Sequence, residues 1–423
     1  MLQVYRYLTY FIFPWLVILI YLRKIFNKED KTRFKEKIFS SHFNISRDYK
    51  KKLVWFHAVS IGECLSILPL IKKLSQNNNN LNFLITSSTL SSSKLLKEKI
   101  NRDKNVIHRF FPLDVESISE NFLNAWKPDI VCFVDSEIWP NFLFKIKEKN
   151  IPLLLINARL TKKTFKKWSI VLNFAKKVFN NFDLCLSASE ESKNNLSQLE
   201  VKKLNYIGNL KYSAQSISDE LNNADKKILN NYKTWCAAST HNGEENIIFK
   251  AHLEIKKKYK NVLTIIVPRH INRCKYVNEL SKKFNLSTQI LNDKDVINTD
   301  IEILIINSFG VMPKYFNYCK NIFIGKSFIK EMKNDSGQNP IEAAKLGCKV
   351  LHGPYVYNFQ EVYDFLNSYG LTEKVNNEQE LANKIIENFE IPTQASLQQL
   401  NLLNIYGEKI LNETVKEISN YLK

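Results

Sequence analysis

Residues 55–64 read WFHAVSIGEC, an apolar run that closes on Gly62 and sets Glu63 at the head of a helical pattern. Residues 63–76, ECLSILPLIKKLSQ, carry apolar side chains at helical spacing, so the stretch predicts a strand, a tight turn and a helix. The same alternation continues along the chain. LVWFHAV (53–59), NFLIT (82–86), DIVCFVD (129–135), PLLLINA (152–158) and DLCLSAS (183–189) read as buried strands bounded by polar, Gly or Pro residues. A second series follows residue 230: TWCAAS (234–239), NVLTIIVP (261–268), IEILIIN (301–307), NIFIG (321–325) and CKVLHG (348–353). Alternating strands and helices predict right-handed βαβ units and parallel sheets, an α/β protein. At 423 residues the chain exceeds one ordinary core, which predicts two domains. The polar stretch 211–231, KYSAQSISDELNNADKKILNN, has no strand signal and is the expected connector between domains at 36–210 and 232–423. The last helix is expected to pack back on the first domain.

Glu63 admits two readings. The end of a strand in an α/β sheet is where ligands sit. An acid in a helix's first turn is also favoured by the macrodipole, by about 0.3–1 kcal/mol, with no ligand involved. Two other strand ends join it: DSEIWPN (135–141) places Asp135 and Glu137 after an apolar strand, and INARLT (156–161) offers Asn157 and Arg159. Such a set suits an acceptor bearing hydroxyls and phosphates, and it equally suits a structural Glu137–Arg159 pair.

In the second half, IIVPRH (265–270) ends a strand with Pro268, Arg269 and His270, where a guanidinium fork fits a phosphate. CAASTHNGEE (236–245) leads through His241 into an acidic helix start, and Gly325 of IFIGKS (322–327) permits close backbone approach. SGQNPIEAAKLGCKVLHGP (336–354) has Pro340 near a helix start and Gly347 past its end. Asn339 is a candidate cap, and Glu342 is either a ribose acceptor or a dipole partner.

The formal charge of +19 predicts attraction to polyanions: nucleic acid, anionic lipid or a phosphorylated substrate. No recognition-helix motif and no basic stripe with interleaved aromatics is present, so a membrane-anchored nucleic-acid-binding protein is the remote alternative and no nucleic-acid partner is expected. The seven cysteines are scattered without a CxxC pair, which argues against a zinc site or disulfide framework and for buried thiols in a reducing compartment. Residues 7–22, YLTYFIFPWLVILIYL, carry no charge, and Arg23, Lys24, Lys28, Lys31, Arg33, Lys35 and Lys37 follow. That pattern predicts a membrane anchor over 1–35 that holds the rest of the chain on the cytoplasmic side, with a helix lying in the interface as the competitor.

HAVSIGE, DSEIWPN, INARL, GNLKY, ASTH, PRH and GQNPIEAAKLG…LHGP…NF, in this order and spacing, resemble the 3-deoxy-D-manno-octulosonic acid (Kdo) transferases of lipopolysaccharide synthesis, from about Arg33 to Glu361. The resemblance implies a GT-B glycosyltransferase: two Rossmann-like domains facing across a cleft, with an N-terminal membrane-anchoring helix at the inner membrane. It implies CMP-Kdo as donor, a lipid A precursor (lipid IVA) as acceptor, inner-membrane lipids as surroundings, no cofactor and no metal. Carried over by motif, Glu63 is the general base and Glu137 a second catalytic acid. Pro268, Arg269, Gly325, Ser327, Gly337, Asn339 and Glu342 fall on the donor-binding segments. Arg159 and Lys211 fall at positions that would support the acceptor or the transition state. Where many members read GGS this chain has Gly325-Lys326-Ser327, and where many read GGHN it has Ser336-Gly337-Gln338-Asn339. A GT-B transferase using another nucleotide sugar is the alternative function.

Overall fold

Strands apolar on both faces need cover on both faces, and all ten runs quoted above become inner strands of two parallel sheets. The computed structural model describes residues 1–422 apart from 102, 215–219, 294, 309 and 392–394. Among the described residues, the first sheet holds β1 (Lys52–His57), β2 (Leu81–Ser87), β3 (Val106–Phe110), β4 (Ile130–Val134), β5 (Leu153–Ala158), β6 (Leu184–Ser187) and β7 (Leu204–Tyr206). Its order is β3-β2-β1-β4-β5-β6-β7. The second holds β8 (Lys233–Thr240), β9 (Val262–Pro268), β10 (Thr288–Leu291), β11 (Ile303–Ile306), β12 (Asn321–Ile324), β13 (Lys349–His352) and β14 (Thr372–Lys374). Its order is β10-β11-β9-β8-β12-β13-β14.

Every strand pairing is parallel, as βαβ connections require. The strand order reverses where β1 lies beside β4 in the first sheet and where β8 lies beside β12 in the second, in which β10 and β11 also exchange places at the edge. The connections leave in opposite directions there and open a crevice at the strands' carboxyl ends. Those two points position everything described below.

The chain divides into two units, Met1–Gln215 with Tyr406–Lys423, and Ser216–Ile405. Part of the expected connector, residues 215–219, lies outside the described residues; the rest includes a helix at Asn223–Leu229. In the first unit, Trp55, Phe122, Phe133 and Phe142 meet ring to ring at the centre of the core. The C-terminal helix, Leu397–Ser419, starts in the second unit and ends in the first. Gly407 lets its backbone close on the Tyr212 carbonyl, where a Cβ would collide. All seven cysteines are free and buried.

Candidate active site

The helix after β1, Ile61–Asn77, is capped by Ser60, whose hydroxyl accepts from the Glu63 N–H at 3.3 Å. Glu63 answers in kind. Its Oε2 accepts from the Val59 N–H at 2.8 Å and its Oε1 from the Ser60 hydroxyl at 2.5 Å. The capping role read from the sequence is therefore present, and it fixes the carboxylate in one rotamer at the end of β1.

β4 ends beside it. Asp135 takes a left-handed backbone, φ 63°, which returns the chain sharply at the strand end and leaves the side chain buried. Lys211 Nζ donates to Asp135 Oδ2 at 3.4 Å, and its stem runs past Gly62. Burial raises the Glu63 pKa above the usual carboxylate range, the charge of Asp135 adds to the rise, and Lys211 opposes it. Two carboxylates and one ammonium thus meet at the β1/β4 reversal, although Lys211 lies 76 residues beyond Asp135.

Glu137 is engaged elsewhere. Its Oε2 accepts from Trp139 Nε1 at 2.9 Å and lies 3.5 Å from His57 Nε2. His57 is buried, stacks on Phe111 at 3.8 Å and holds Thr86 through Nδ1. Arg159 is half-buried, and its N–H donates to the Asp135 carbonyl at 3.1 Å. Asn157 uses its side-chain oxygen to hold the Leu210 N–H at 2.8 Å, which anchors the Lys211 segment to the end of β5.

In the second unit a residue that sequence reasoning passed over organises the donor-type loops. Glu244, the first residue of helix Glu244–Lys258, is fully buried. Its Oε2 accepts from the N–H groups of His241 at 2.9 Å and Lys326 at 2.7 Å. Its Oε1 accepts from those of Ser327 at 2.8 Å and Phe328 at 3.1 Å. One carboxylate therefore ties the end of β8 to the end of β12 through four amides. Burial still outweighs those bonds and leaves its pKa raised. Gly325 is required here, because a Cβ would fall 2.8 Å from Glu244 Oε2, from the Ser239 carbonyl and from Thr240 Cα. The neighbouring Glu245 is held by Arg273 through both oxygens, at 2.8 and 2.9 Å.

The loop passes the constraint on. The Ser327 hydroxyl accepts from the Gly353 N–H at 2.9 Å, and the Lys326 carbonyl accepts from Gly337 N–H at 2.7 Å. Gly337 has φ 87° and sits where a Cβ would meet the Val356 backbone at 3.0 Å. Lys326 has φ 57°, a conformation that favours glycine, which accounts for the second Gly of the GGS pattern and marks the lysine as strained.

Pro268 ends β9 paired with Thr240, and Arg269 is exposed just beyond it. His241 is held at a pKa of about 4, first by burial and then by the charges of Lys326, His270 and Arg269. Arg269 and Lys326 thus bring positive charge to the β8/β12 reversal, where Lys326 Nζ also meets Asp335 at 3.3 Å. Asn339 Oδ1 accepts from the Ile341 N–H at 3.2 Å, but the helix it helps start, Ile341–Lys345, is only five residues long. The Glu342 side chain makes no hydrogen bond among the described residues, and burial raises its pKa.

A family model described as 3-deoxy-D-manno-octulosonic-acid transferase (kdotransferase) matches residues 32–214. The chain is 31% identical over 360 residues to the 3-deoxy-D-manno-octulosonic acid transferase of Rickettsia bellii, covering 84% of this chain and 82% of that protein. It is 28% identical over 319 residues to the Haemophilus influenzae protein of the same name, covering 74% and 73%. Among solved structures, the UDP-GlcNAc 2-epimerase of Neisseria meningitidis bound to UDP-GlcNAc superposes with a TM-score of 0.57 at 18% identity, over 88% of this chain and 99% of that one. At such identity the likeness concerns the fold alone, which is of the GT-B class.

Proposed function

Because this chain belongs to the 3-deoxy-D-manno-octulosonic acid transferase family, we propose that it moves Kdo from CMP-Kdo to a lipid A precursor, with Glu63 as general base. The observation that carries this reading is the carboxylate of Glu63, fixed at the β1/β4 reversal with its pKa raised by burial and by Asp135. A sugar hydroxyl is a weak nucleophile until its proton leaves, and a positioned carboxylate removes it as attack proceeds. The acceptor oxygen bonds to the anomeric carbon of Kdo while the bond from that carbon to the CMP phosphate breaks. Attack opposite the leaving group inverts the centre in one displacement.

The cationic side chains Arg269 and Lys326 at the β8/β12 reversal support the assignment of the donor to the second unit. Arg269 supplies a planar pair of N–H donors to the CMP phosphate, and Lys326 adds positive charge as the leaving group develops its own. Glu342, half-buried and with no side-chain hydrogen bond among the described residues, is suited to accept from ribose hydroxyls. In the first unit, Lys211 steadies Asp135 and the charge that builds near the acceptor. The other carried-over acid, Glu137, is placed to orient rather than to react: its bond to Trp139 and its approach to His57 brace the segment after β4.

Arg269→Ala removes charge-assisted bonds worth about 1.5–3 kcal/mol, so CMP affinity should fall by roughly 10- to 100-fold. Calorimetric titration with CMP checks this, and unchanged affinity removes Arg269 from the donor site. The overall reading is tested by incubating the protein with CMP-Kdo and a tetraacyl lipid A precursor and weighing the products. Transfer from a UDP-sugar with none from CMP-Kdo would favour the other nucleotide-sugar reading. The reading also places the enzyme at the cytoplasmic face of the inner membrane, where the acceptor resides.

A further inference from the structure

The helix Leu2–Ile25 is long and apolar enough to cross a bilayer, yet one of its faces is already occupied. The Tyr5 hydroxyl donates to Asp114 Oδ2 at 2.7 Å. Arg6 bridges Glu116 at 2.9 Å and Glu148 at 3.0 Å, and Asn141 Nδ2 donates to Thr9 Oγ1 at 3.2 Å. Farther along, Phe13 packs on the main core of the first unit, and Val17 and Ile20 close a small second core with Phe34 and Ile38. With 3.6 residues per turn, positions 5, 6, 9, 13, 17 and 20 share one side of the helix. The opposite side carries Val4, Leu8, Phe11, Trp15, Ile18 and Leu22, all exposed.

Crossing a bilayer would require Arg6 to leave two carboxylates, the buried Asp114 to lose its tyrosine, and the second core to open. Nothing in hydrocarbon repays those losses. We infer that this helix lies along the membrane surface, with its Val4-to-Leu22 side in anionic lipid and its other side kept on the first unit. This deepens the membrane placement proposed above and rests on it, but not on the transfer chemistry.

Charge identifies the occupant as a bilayer rather than a second copy. Lys24, Lys28 and Lys31 lie at the helix's end or just beyond it. Near its start, Phe174 contacts Tyr5 at 6.4 Å. The segment leading to Phe174 includes the helix Lys162–Ser169, with four lysines and no acid, and then Ile170, 83% exposed. A basic border around an apolar face fits anionic phospholipid headgroups and opposes an identical basic surface.

The seven native cysteines are buried, so single introduced cysteines can carry the probe. Leu8→Cys, Trp15→Cys and Leu22→Cys, seven residues apart on the outer side, are nitroxide-labelled in the full-length protein. The labelled protein is bound to phosphatidylethanolamine–phosphatidylglycerol vesicles. Similar, shallow depths at all three positions, with access to oxygen dissolved in lipid, are expected. Greatest depth at position 15 with the other two near opposite surfaces means a span and overturns the inference. Labels shielded from lipid oxygen mean a protein partner and overturn it as well. A Phe11→Ser/Trp15→Ser double substitution should weaken vesicle binding at least tenfold with CMP affinity unchanged. Unaltered vesicle binding in that variant also refutes the inference, whatever the transfer assay shows.

Discussion

Glu63→Gln is expected to fold, to bind CMP as the parent does, and to lose about two to four orders of magnitude in turnover. Glutamine keeps the shape and can still accept from the Val59 N–H and bond the Ser60 hydroxyl, so the cap survives while the base does not. The pH dependence separates the two roles. A protonated Glu63 cannot take the acceptor's proton, so the rate should fall as pH drops through its raised pKa, which lies above the ordinary value of about 4.3. That acid limb should vanish in the variant's residual rate.

Stability should move the other way. A carboxyl whose pKa is raised on folding costs stability as pH climbs from its unfolded pKa through its folded one. Glu63→Gln should therefore gain on the parent over that window. Thermal melts across pH check the sign, and near-parental turnover in the purified variant would remove Glu63 from the chemistry.

Glu244→Ala is expected to damage donor binding and the second unit together. The substitution strips the acceptor from four N–H groups held around a fully buried carboxylate. Each orphaned donor costs about 1–3 kcal/mol, and the sum is not additive, so a total of roughly 3–5 kcal/mol is expected. For a unit of this size that lowers Tm by roughly 10 °C. Residues 325–328 should lose their shape first, raising the KM for CMP-Kdo tenfold or more while the KM for the lipid acceptor stays put. Glu244→Gln keeps one accepting oxygen and should fall between the two. Wild-type Tm and donor KM in Glu244→Ala would show that this carboxylate does not shape the loop.

Glu63 and the motif at 265–270 stand out because each closes an apolar strand, whereas 336–354 stands out because Pro340 and Gly347 bracket a helix. Glu244 was not visible. In the sequence it is one of two acids after a Gly turn, a pattern that helix starts produce for the macrodipole alone. Only the pairing of β8 with β12 brings residues 326–328 to it across more than 80 positions of chain. Asp135 and Lys211 likewise carry no local sign of their contact. Glu137 illustrates the converse, a motif acid whose partners, Trp139 and His57, are structural in character.

The same division runs through the fold. Runs apolar on both faces can be satisfied only inside a covered parallel sheet, so the sequence by itself determined ten strands, their alternation with helices and the α/β class. The four strands it did not mark, β3, β7, β10 and β14, are the four sheet edges, short or partly exposed and held by pairing on one side. Their state depends on a neighbour more than on their own residues. The N-terminal helix follows the same logic. Its length and apolarity are written locally, whereas the side it gives to protein was decided by Asp114, Glu116, Asn141 and Glu148, which only the folded first unit gathers along it. Burial of a segment's own side chains is encoded in that segment; contacts between distant segments exist only once the sheets have set their order.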